Sequence, residues 1–518
     1  MSSQRDLGHR HLILRKDMIR RCIAASRAPV SISFRGTAQN TNNYMRLDDY
    51  GHHHPRDLSI PLISPPPSET AFPITSSLGR RRGVYIPVWV KFWLSFSAAL
   101  GWGVFSYQLA QRWIADLSIL IGPVGAHAAI FGIAILPGFM NAFMVSSLLL
   151  DRRPRLACAD ETELPPITIL IAAYNEESSI SDTLHSISMQ QYPGPMRVVA
   201  INDGSTDRTA ELLDQAAGDY PWLDVIHMPK NSGKSAALNT GFGTVTSDLV
   251  ITIDGDSYLY RDALANLVRR MQEDPESTAA VAGAVLVRNS RKNLVTRVQE
   301  WDYFHGIAAV KRIQSLYQGT LVAQGAFSIY RAEALRQVGG WQDVVGEDIV
   351  LTWALLEAGY RVGYSENACL FTNAPETWRQ FVRQRQRWSR GLIEAFKSHW
   401  RLLFKARFST MFIWWNALFP YLDLVYSLVF VPGLILALFG YYYVAGPMTL
   451  IVLPLAMLVN FIMYQIQNGM FREQGLKVRR NIFGFTFYAL LYSVILQPAC
   501  VIGYLKEVIL RTKNWGTK

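Results

Sequence analysis

Ile169-Leu170-Ile171-Ala172-Ala173-Tyr174-Asn175-Glu176-Glu177 decides the fold class. An unbroken apolar run gives way to a polar loop and then to a helix start, the pattern of a strand buried on both faces with a loop at its carboxyl end. This run, at 167–172, is followed by similar short apolar runs at 197–201, 224–227 and 249–253. They stand roughly 20–30 residues apart with helical stretches between them, which predicts βαβ units and a mostly parallel sheet. This α/β domain should extend over 165–375. Ligands of such sheets bind outside the carboxyl ends of the strands, and the chemically loaded residues fall at those ends.

Tyr174 and Glu176 open the first such loop, where backbone amides and an aromatic ring can hold a nucleotide base. The second strand ends in Ile201-Asn202-Asp203-Gly204-Ser205-Thr206-Asp207. There Asp203 can accept from a base imide, or the residues can form an ordinary Asp-Gly turn that caps the next helix. Asn231-Ser232-Gly233-Lys234-Ser235 is a Gly-Lys loop opening a helix, but it lacks the first Gly of GxxxxGK[ST], which argues against an ATPase. Lys234 can still neutralise a diphosphate. Ile251-Thr252-Ile253-Asp254-Gly255-Asp256 puts two carboxylates at a strand tip, able to reach a hard divalent cation and leave room for water and phosphate oxygens; a solvated turn is the alternative.

Further along, Gly346-Glu347-Asp348 precedes an amphipathic helix, so one carboxylate can cap that helix and the other can take a proton from a hydroxyl. Gln384-Arg385-Gln386-Arg387-Trp388 offers an anion-binding Arg, an amide and a ring able to stack on a sugar face. The same residues also fit a bare amphipathic helix whose Trp anchors in a membrane.

Outside 165–375 the composition changes. The 518 residues are 50% hydrophobic, 12% aromatic and 18% charged, with net charge +11 and mean hydropathy +0.11. That balance fits a membrane protein with one sizeable soluble domain. Lys and Arg cluster at the ends of apolar runs with no zinc or RNA-binding signature, so membrane lipid rather than nucleic acid is the expected partner. Cys22, Cys158, Cys369 and Cys500 show no CxxC pairing, which speaks against a disulfide framework or structural zinc and for a reducing compartment. The charged start lacks a signal-peptide pattern.

Residues 1–84 read as a disordered basic tail; His52-His53-His54 within it lack the rigid spacing of a metal site. Two transmembrane helices are expected in 85–150, at 92–110 and 127–150, flanked by Arg80-Arg81-Arg82 and Asp151-Arg152-Arg153-Pro154-Arg155. Basic flanks place both ends, and the domain that follows, in the cytoplasm. Trp378, Phe381, Trp388, Leu392, Phe396, Trp400 and Leu403 recur at helical spacing among basic residues, predicting an amphipathic interfacial helix within 376–408. About three further spans are expected in 409–510, at 422–443, 450–466 and 483–504, before a basic tail at 511–518. An odd number would put that tail outside, against the positive-inside tendency.

Taken in order, Tyr174-Asn175-Glu176, Asp203-Gly204-Ser205, Gly233-Lys234, Asp254-Gly255-Asp256, Glu347-Asp348 and Gln384-Arg385-Gln386-Arg387-Trp388 resemble the motifs of processive family-2 glycosyltransferases. That group contains the bacterial cellulose, hyaluronan, chitin-oligosaccharide and poly-β-1,6-N-acetylglucosamine synthases. The resemblance covers about 165–405 and extends to the membrane layout. Asn202 and Gly346 depart from it, standing where Asp and Thr are frequent. The stretch from Val298 to Tyr303, Ala326-Phe327 ahead of Gly339-Gly340-Trp341 and the two preceding spans are most similar to the poly-β-1,6-N-acetylglucosamine synthases, and the lack of a PilZ-like region after the last span speaks against a cellulose synthase with its own cyclic-di-GMP receptor.

The resemblance implies a GT-A nucleotide-diphospho-sugar transferase domain between N-terminal and C-terminal transmembrane helices, in the inner membrane of a bacterium. It implies an inverting β-glycosyltransferase that extends, and translocates, a polysaccharide from a UDP-sugar, with UDP-N-acetylglucosamine favoured. Asp348 would be the base. Tyr174, Glu176, Asp203, Lys234, Asp254 and Arg387 would bind the nucleotide; Glu347, Gln384 and Trp388 would bind acceptor or product; Asp254 and Asp256 would hold Mg2+ or Mn2+. Gln324 and Gly325-Ala326-Phe327 are candidates for the acceptor side, with strand packing as the alternative. Implied partners are the donor, the growing polysaccharide, lipid and a small membrane accessory subunit. The competing expectations are a β-glucan synthase using UDP-glucose, a non-processive transferase acting on a lipid carrier, and a channel or transporter that senses nucleotide-sugar.

Overall fold

The computed structural model describes residues 45–46, 86–151, 164–477 and 480–509. The expected tail, His52-His53-His54 and the basic C-terminus lie outside them, except that β1 (Met45–Arg46) pairs in parallel with β10 (Leu476–Lys477).

Among the described residues the domain is built on an eight-stranded sheet in the order β4-β3-β2-β5-β8-β7-β9-β6. Its strands are β2 (Ile167–Ala173), β3 (Met196–Asn202), β4 (Leu223–His227), β5 (Leu249–Asp254), β6 (Ser257–Leu259), β7 (Thr278–Val287), β8 (Phe327–Arg331) and β9 (Arg361–Thr372). β4, β3, β2 and β5 run parallel, and each matches a strand expected from the sequence to within a residue or two. The sheet then turns mixed, because β8 is antiparallel to both β5 and β7. This is the expected α/β GT-A arrangement. Helices cover both faces and bury two apolar clusters, one around Ile169, Ile171, Val198 and Ile251, the other around Leu170, Val199, Val250 and Trp353. Burial on both faces explains why these strands read as continuous apolar runs.

Four helices among the described residues are long and apolar enough to cross a membrane: Val88–Leu109, Gln111–Leu150, Thr410–Leu438 and Tyr492–Ile509. The expected boundaries shift for identifiable reasons. The second run starts well before residue 127 and is broken within its length by Gly122, at φ 75° and ψ 163°, next to Pro123. The third begins at Thr410 rather than near 422, and Gly440 at φ 87° follows its end. The expected span at 450–466 lies inside the helix Pro447–Glu473, whose apolar part is the shorter Met457–Ile466. The expected span at 483–504 is two helices, Ile482–Leu490 and Tyr492–Ile509. Asn481 caps the first by accepting from Gly484 N at 3.1 Å and ties it to the domain through Arg297 O at 2.8 Å and Glu300 at 2.6 Å.

The amphipathic segment forms the helix Trp378–His399, started by a reciprocal cap between Thr377 and Gln380. It was expected to lie on a membrane surface, but much of it is packed against protein. Glu507 on the last helix binds Arg390 at 3.2 Å and Lys397 at 2.8 Å, and Lys506 Nζ donates to Gln386 Oε1 at 2.7 Å. Gly503 lies against Ser389 and the Gln386 carbonyl, where a Cβ has no room. At the other end of the domain, buried Arg312 joins Asp151, just past the second apolar run, to Glu366 on β9 at 2.8 and 3.2 Å.

Candidate active site

The loops after β2 and β3 are knitted together. Asn175, at φ 54°, donates its N–H to Ser205 Oγ at 3.1 Å and accepts Thr206 N–H at 2.9 Å. Glu176 N–H donates to Thr209 Oγ1 at 2.8 Å. Gly204 takes φ 65°, and a Cβ there would fall 2.5 Å from the Lys230 carbonyl carbon, so only glycine lets this turn meet the Lys230–Asn231 segment. Tyr174 stands half-buried beside this junction.

Asp203 is used differently from the expectation. Its side chain is 2% exposed, and its two oxygens accept from Ser232 N at 2.7 Å and Gly233 N at 2.8 Å. It therefore fixes the Gly-Lys loop, and any contact with a base would be additional to that duty. Asn202 explains its own departure from Asp. Its amide nitrogen donates to His227 Nδ1 at 3.0 Å and its oxygen accepts Ser205 N–H at 3.0 Å, so both ends of the amide are used where an ionised carboxylate has no donor to offer.

The fixed loop aims Lys234 at the carboxylates. Nζ lies 2.5 Å from Asp254 Oδ1 and 3.5 Å from Glu347 Oε1. Asp254 and Glu347 hold the Lys234 ammonium well above its ordinary range against the opposing effect of burial. Burial raises Glu347, with Lys234 and Arg387 pulling the other way. A Cβ on Gly325 would stand 2.6 Å from Lys234 Nζ, so this glycine makes room for the cluster.

Asp256 accepts from Thr372 Oγ1 at 3.3 Å, and the Gly255 carbonyl between the two aspartates accepts from Thr183 at 2.9 Å. Glu176 packs its Cγ over Gly255. No group of three or more His, Cys, Asp or Glu side chains among the described residues is placed to hold a metal. Asp254 and Asp256 are both partly open hard oxygen donors. They fit a divalent cation that completes its shell with phosphate and water, provided Lys234 yields on Asp254.

Gly346 precedes the helix Glu347–Glu357. Glu347 is 7% exposed, whereas Asp348 is partly open and its Oδ1 accepts from Ile349 N at 2.8 Å. Gly346 also explains its departure from Thr, because a Cβ there would collide with the Gly391 backbone. Beneath the pair lies Lys311, whose burial pushes its ammonium down to about 7 against the opposing charge of Asp348.

On the helix Trp378–His399, Arg387 is close enough to Glu347 to act on its charge, and Gln384 lies beside the Tyr303 hydroxyl. Trp388 is 39% exposed, with the Arg385 guanidinium 4.1 Å from its ring centroid and the Tyr303 ring 6.4 Å away. Sequence reasoning passed over Arg385, Asp302 and Tyr303. Arg385 pairs with Asp302 at 2.8 Å in the interior; its place inside the Gln-Trp motif was the available signal. Gln324 serves strand packing, donating to the Gly283 and Phe327 carbonyls at 2.6 and 3.3 Å.

The site thus gathers a lysine, two loop aspartates, a Glu-Asp pair and an Arg-Trp helix around the carboxyl ends of interior strands. Residues 168–339 match the profile described as Glycosyl transferase family 2. The chain carries a family 2 glycosyl transferase domain. Over 250 residues it is 33% identical to the poly-beta-1,6-N-acetyl-D-glucosamine synthase of Staphylococcus aureus (strain COL), covering 48% of this chain and 58% of that protein. The synthase of the same name from Staphylococcus epidermidis is 30% identical over 240 residues, covering 46% and 57%. The match therefore spans less than two thirds of either relative. The mannosyltransferase PcManGT from Pyrobaculum calidifontis, solved with GDP-Man and Mn2+, aligns over 82% of this chain and 100% of its own at 18% identity and a TM-score of 0.48. The family 2 profile ends before Glu347, so the Glu-Asp pair and the Arg-Trp helix join the domain by geometry.

Proposed function

We propose that the protein is a membrane-integrated inverting β-glycosyltransferase that extends a polysaccharide from a UDP-sugar, with UDP-N-acetylglucosamine as donor. The observation that carries this reading is the single cluster in which Lys234 lies between Asp254 and Glu347, with Asp348 next along the chain. A cation and carboxylates so arranged suit a diphosphate leaving group beside a proton acceptor. The choice of sugar rests on the similarity to the two staphylococcal synthases.

In this mechanism Tyr174 and Glu176 line the nucleotide side, while Asp203 holds the loop that carries Lys234. Asp254 and Asp256 would hold Mg2+ or Mn2+, which when bound neutralises charge on the departing diphosphate. Arg387 and Lys234 face the same oxygens. Asp348 takes the proton from the acceptor hydroxyl as that oxygen bonds to the anomeric carbon; the bond from that carbon to the β-phosphate oxygen breaks, UDP leaves, and the configuration inverts. Trp388 offers its open face to the acceptor sugar, next to Gln384 and Glu347. Elongation on the cytoplasmic side of a bacterial inner membrane, export of the polymer and help from an accessory subunit belong to the same reading.

Membranes containing the protein, incubated with labelled UDP-N-acetylglucosamine or UDP-glucose, test it. Polymer made from the first and degraded by a hexosaminidase is expected. Polymer made equally well from UDP-glucose and resistant to that enzyme overturns the donor assignment, and label found on a single-sugar lipid overturns elongation.

A further inference from the structure

The start of the helix Glu347–Glu357 is held only in part by its own residues. Its N-cap is Gly346, which has no side chain to accept from the first-turn amides; within the turn, Asp348 Oδ1 accepts from Ile349 N at 2.8 Å. Helix N-termini normally find an acceptor for such amides nearby in sequence. The two amides just ahead of that turn are held from another helix. Glu394 Oε1 accepts Val345 N–H at 3.2 Å and Oε2 accepts Gly346 N–H at 2.9 Å. Both carboxylate oxygens are thus used on the two residues directly ahead of Glu347 and Asp348. The Gly346 and Gly391 backbones meet one turn earlier on Glu394's own helix, leaving no room for a side chain between them.

We propose that Glu394 is a positioning residue for transfer, setting where Glu347 and Asp348 stand relative to Lys234, Asp254 and Arg387. The inference rests on the reading of Asp348 as the base. Glu394 lies two helical turns beyond Arg387, so one rigid helix carries both the arginine that acts on Glu347 and the carboxylate that grips the loop before it. A bidentate acceptor on two successive amides fixes rotation as well as distance, which one bond would not. Displacing a base by about 1 Å can cost on the order of 100-fold in rate without touching the donor's own contacts.

The test uses the full chain, purified in detergent, with UDP release followed against donor concentration. Glu394→Ala is expected to lower kcat by at least about tenfold while the donor KM and the Kd for UDP stay within about twofold. Glu394→Gln, which keeps one acceptor oxygen, is expected to lose about threefold to tenfold, between the parent and the alanine variant. A kcat for Glu394→Ala within twofold of the parent overturns the proposal, as does a loss in which UDP binding falls equally. Should Glu394→Ala not fold, Glu394→Gln decides alone: a lower kcat at unchanged KM supports the role, and an unchanged kcat overturns it. Asp348→Asn measured alongside separates the two readings, since an active Asp348→Asn defeats the base assignment whatever Glu394 does.

Discussion

Gly346 and Gly391 meet backbone to backbone, one at the start of the helix bearing Glu347 and Asp348 and the other on the helix bearing Arg387 and Trp388. A side chain at either position must push the two helices apart. Gly346→Thr, which introduces the residue frequent at this place in similar enzymes, is expected to destabilise the protein by about 1–3 kcal/mol and to reduce transfer. Thermal unfolding in detergent together with UDP release checks it.

Asp348→Asn removes the proposed proton acceptor while keeping size and most hydrogen bonding. The expected loss of kcat is about 100-fold to 10,000-fold, with UDP binding retained because no nucleotide contact is assigned to this carboxylate. Turnover within threefold of the parent would sink the assignment.

Lys234 and Asp254 form a pair 2.5 Å apart that must open for a cation to reach the carboxylate. Asp254→Ala and Asp256→Ala are each expected to abolish metal-dependent turnover, and EDTA should reproduce either effect. Isothermal titration of Mn2+ in the presence of UDP supplies an independent readout. Full turnover in chelator would show that the two aspartates only shape a turn.

Arg385 and Asp302 lie 2.8 Å apart with side chains 5% and 11% exposed. Removing one partner leaves a buried charge unpaired, so Arg385→Met or Asp302→Asn is expected to destabilise by about 3–5 kcal/mol. The double substitution should cost less than the sum of the two, which a double-mutant cycle on unfolding midpoints measures.

Lys311 has an ammonium lowered from its ordinary 10.5 to about 7 by burial. Above the ordinary value neither the folded nor the unfolded chain carries this proton. As pH falls from about 10 to 7 the unfolded chain binds it first, so stability falls across that window and is recovered as pH rises. Lys311→Met is expected to flatten this slope, read as the unfolding midpoint from pH 7 to 9; an unchanged slope would mean the ammonium is solvated.

The parallel half of the sheet was legible because β2, β3 and β5 are short apolar runs that give way to polar loops at Asn175, Asp203-Gly204 and Gly255-Asp256. β7 was harder to see: Thr278–Val287 is rich in Ala and buried throughout, so it shows no alternation between two faces. Helix ends in the apolar segments were misjudged where a single residue breaks the run, at Gly122 and at Leu491. In the site, residues that belong to a motif could be named from order alone. Asp302 and Glu394 could not. The first pairs with a residue distant in sequence, and the second binds backbone amides, which leave no trace in residue type.

The clamp on the helix Trp378–His399 makes the protein indivisible in a practical sense. A fragment ending before Trp378 would strip Val345 and Gly346 of their acceptor, and one ending just after His399 would leave Arg390 and Lys397 without Glu507. A cut at either place is expected to yield an inactive fragment rather than a water-borne catalyst. Detergents or lipids that tilt the last helix should therefore change the rate of chemistry itself.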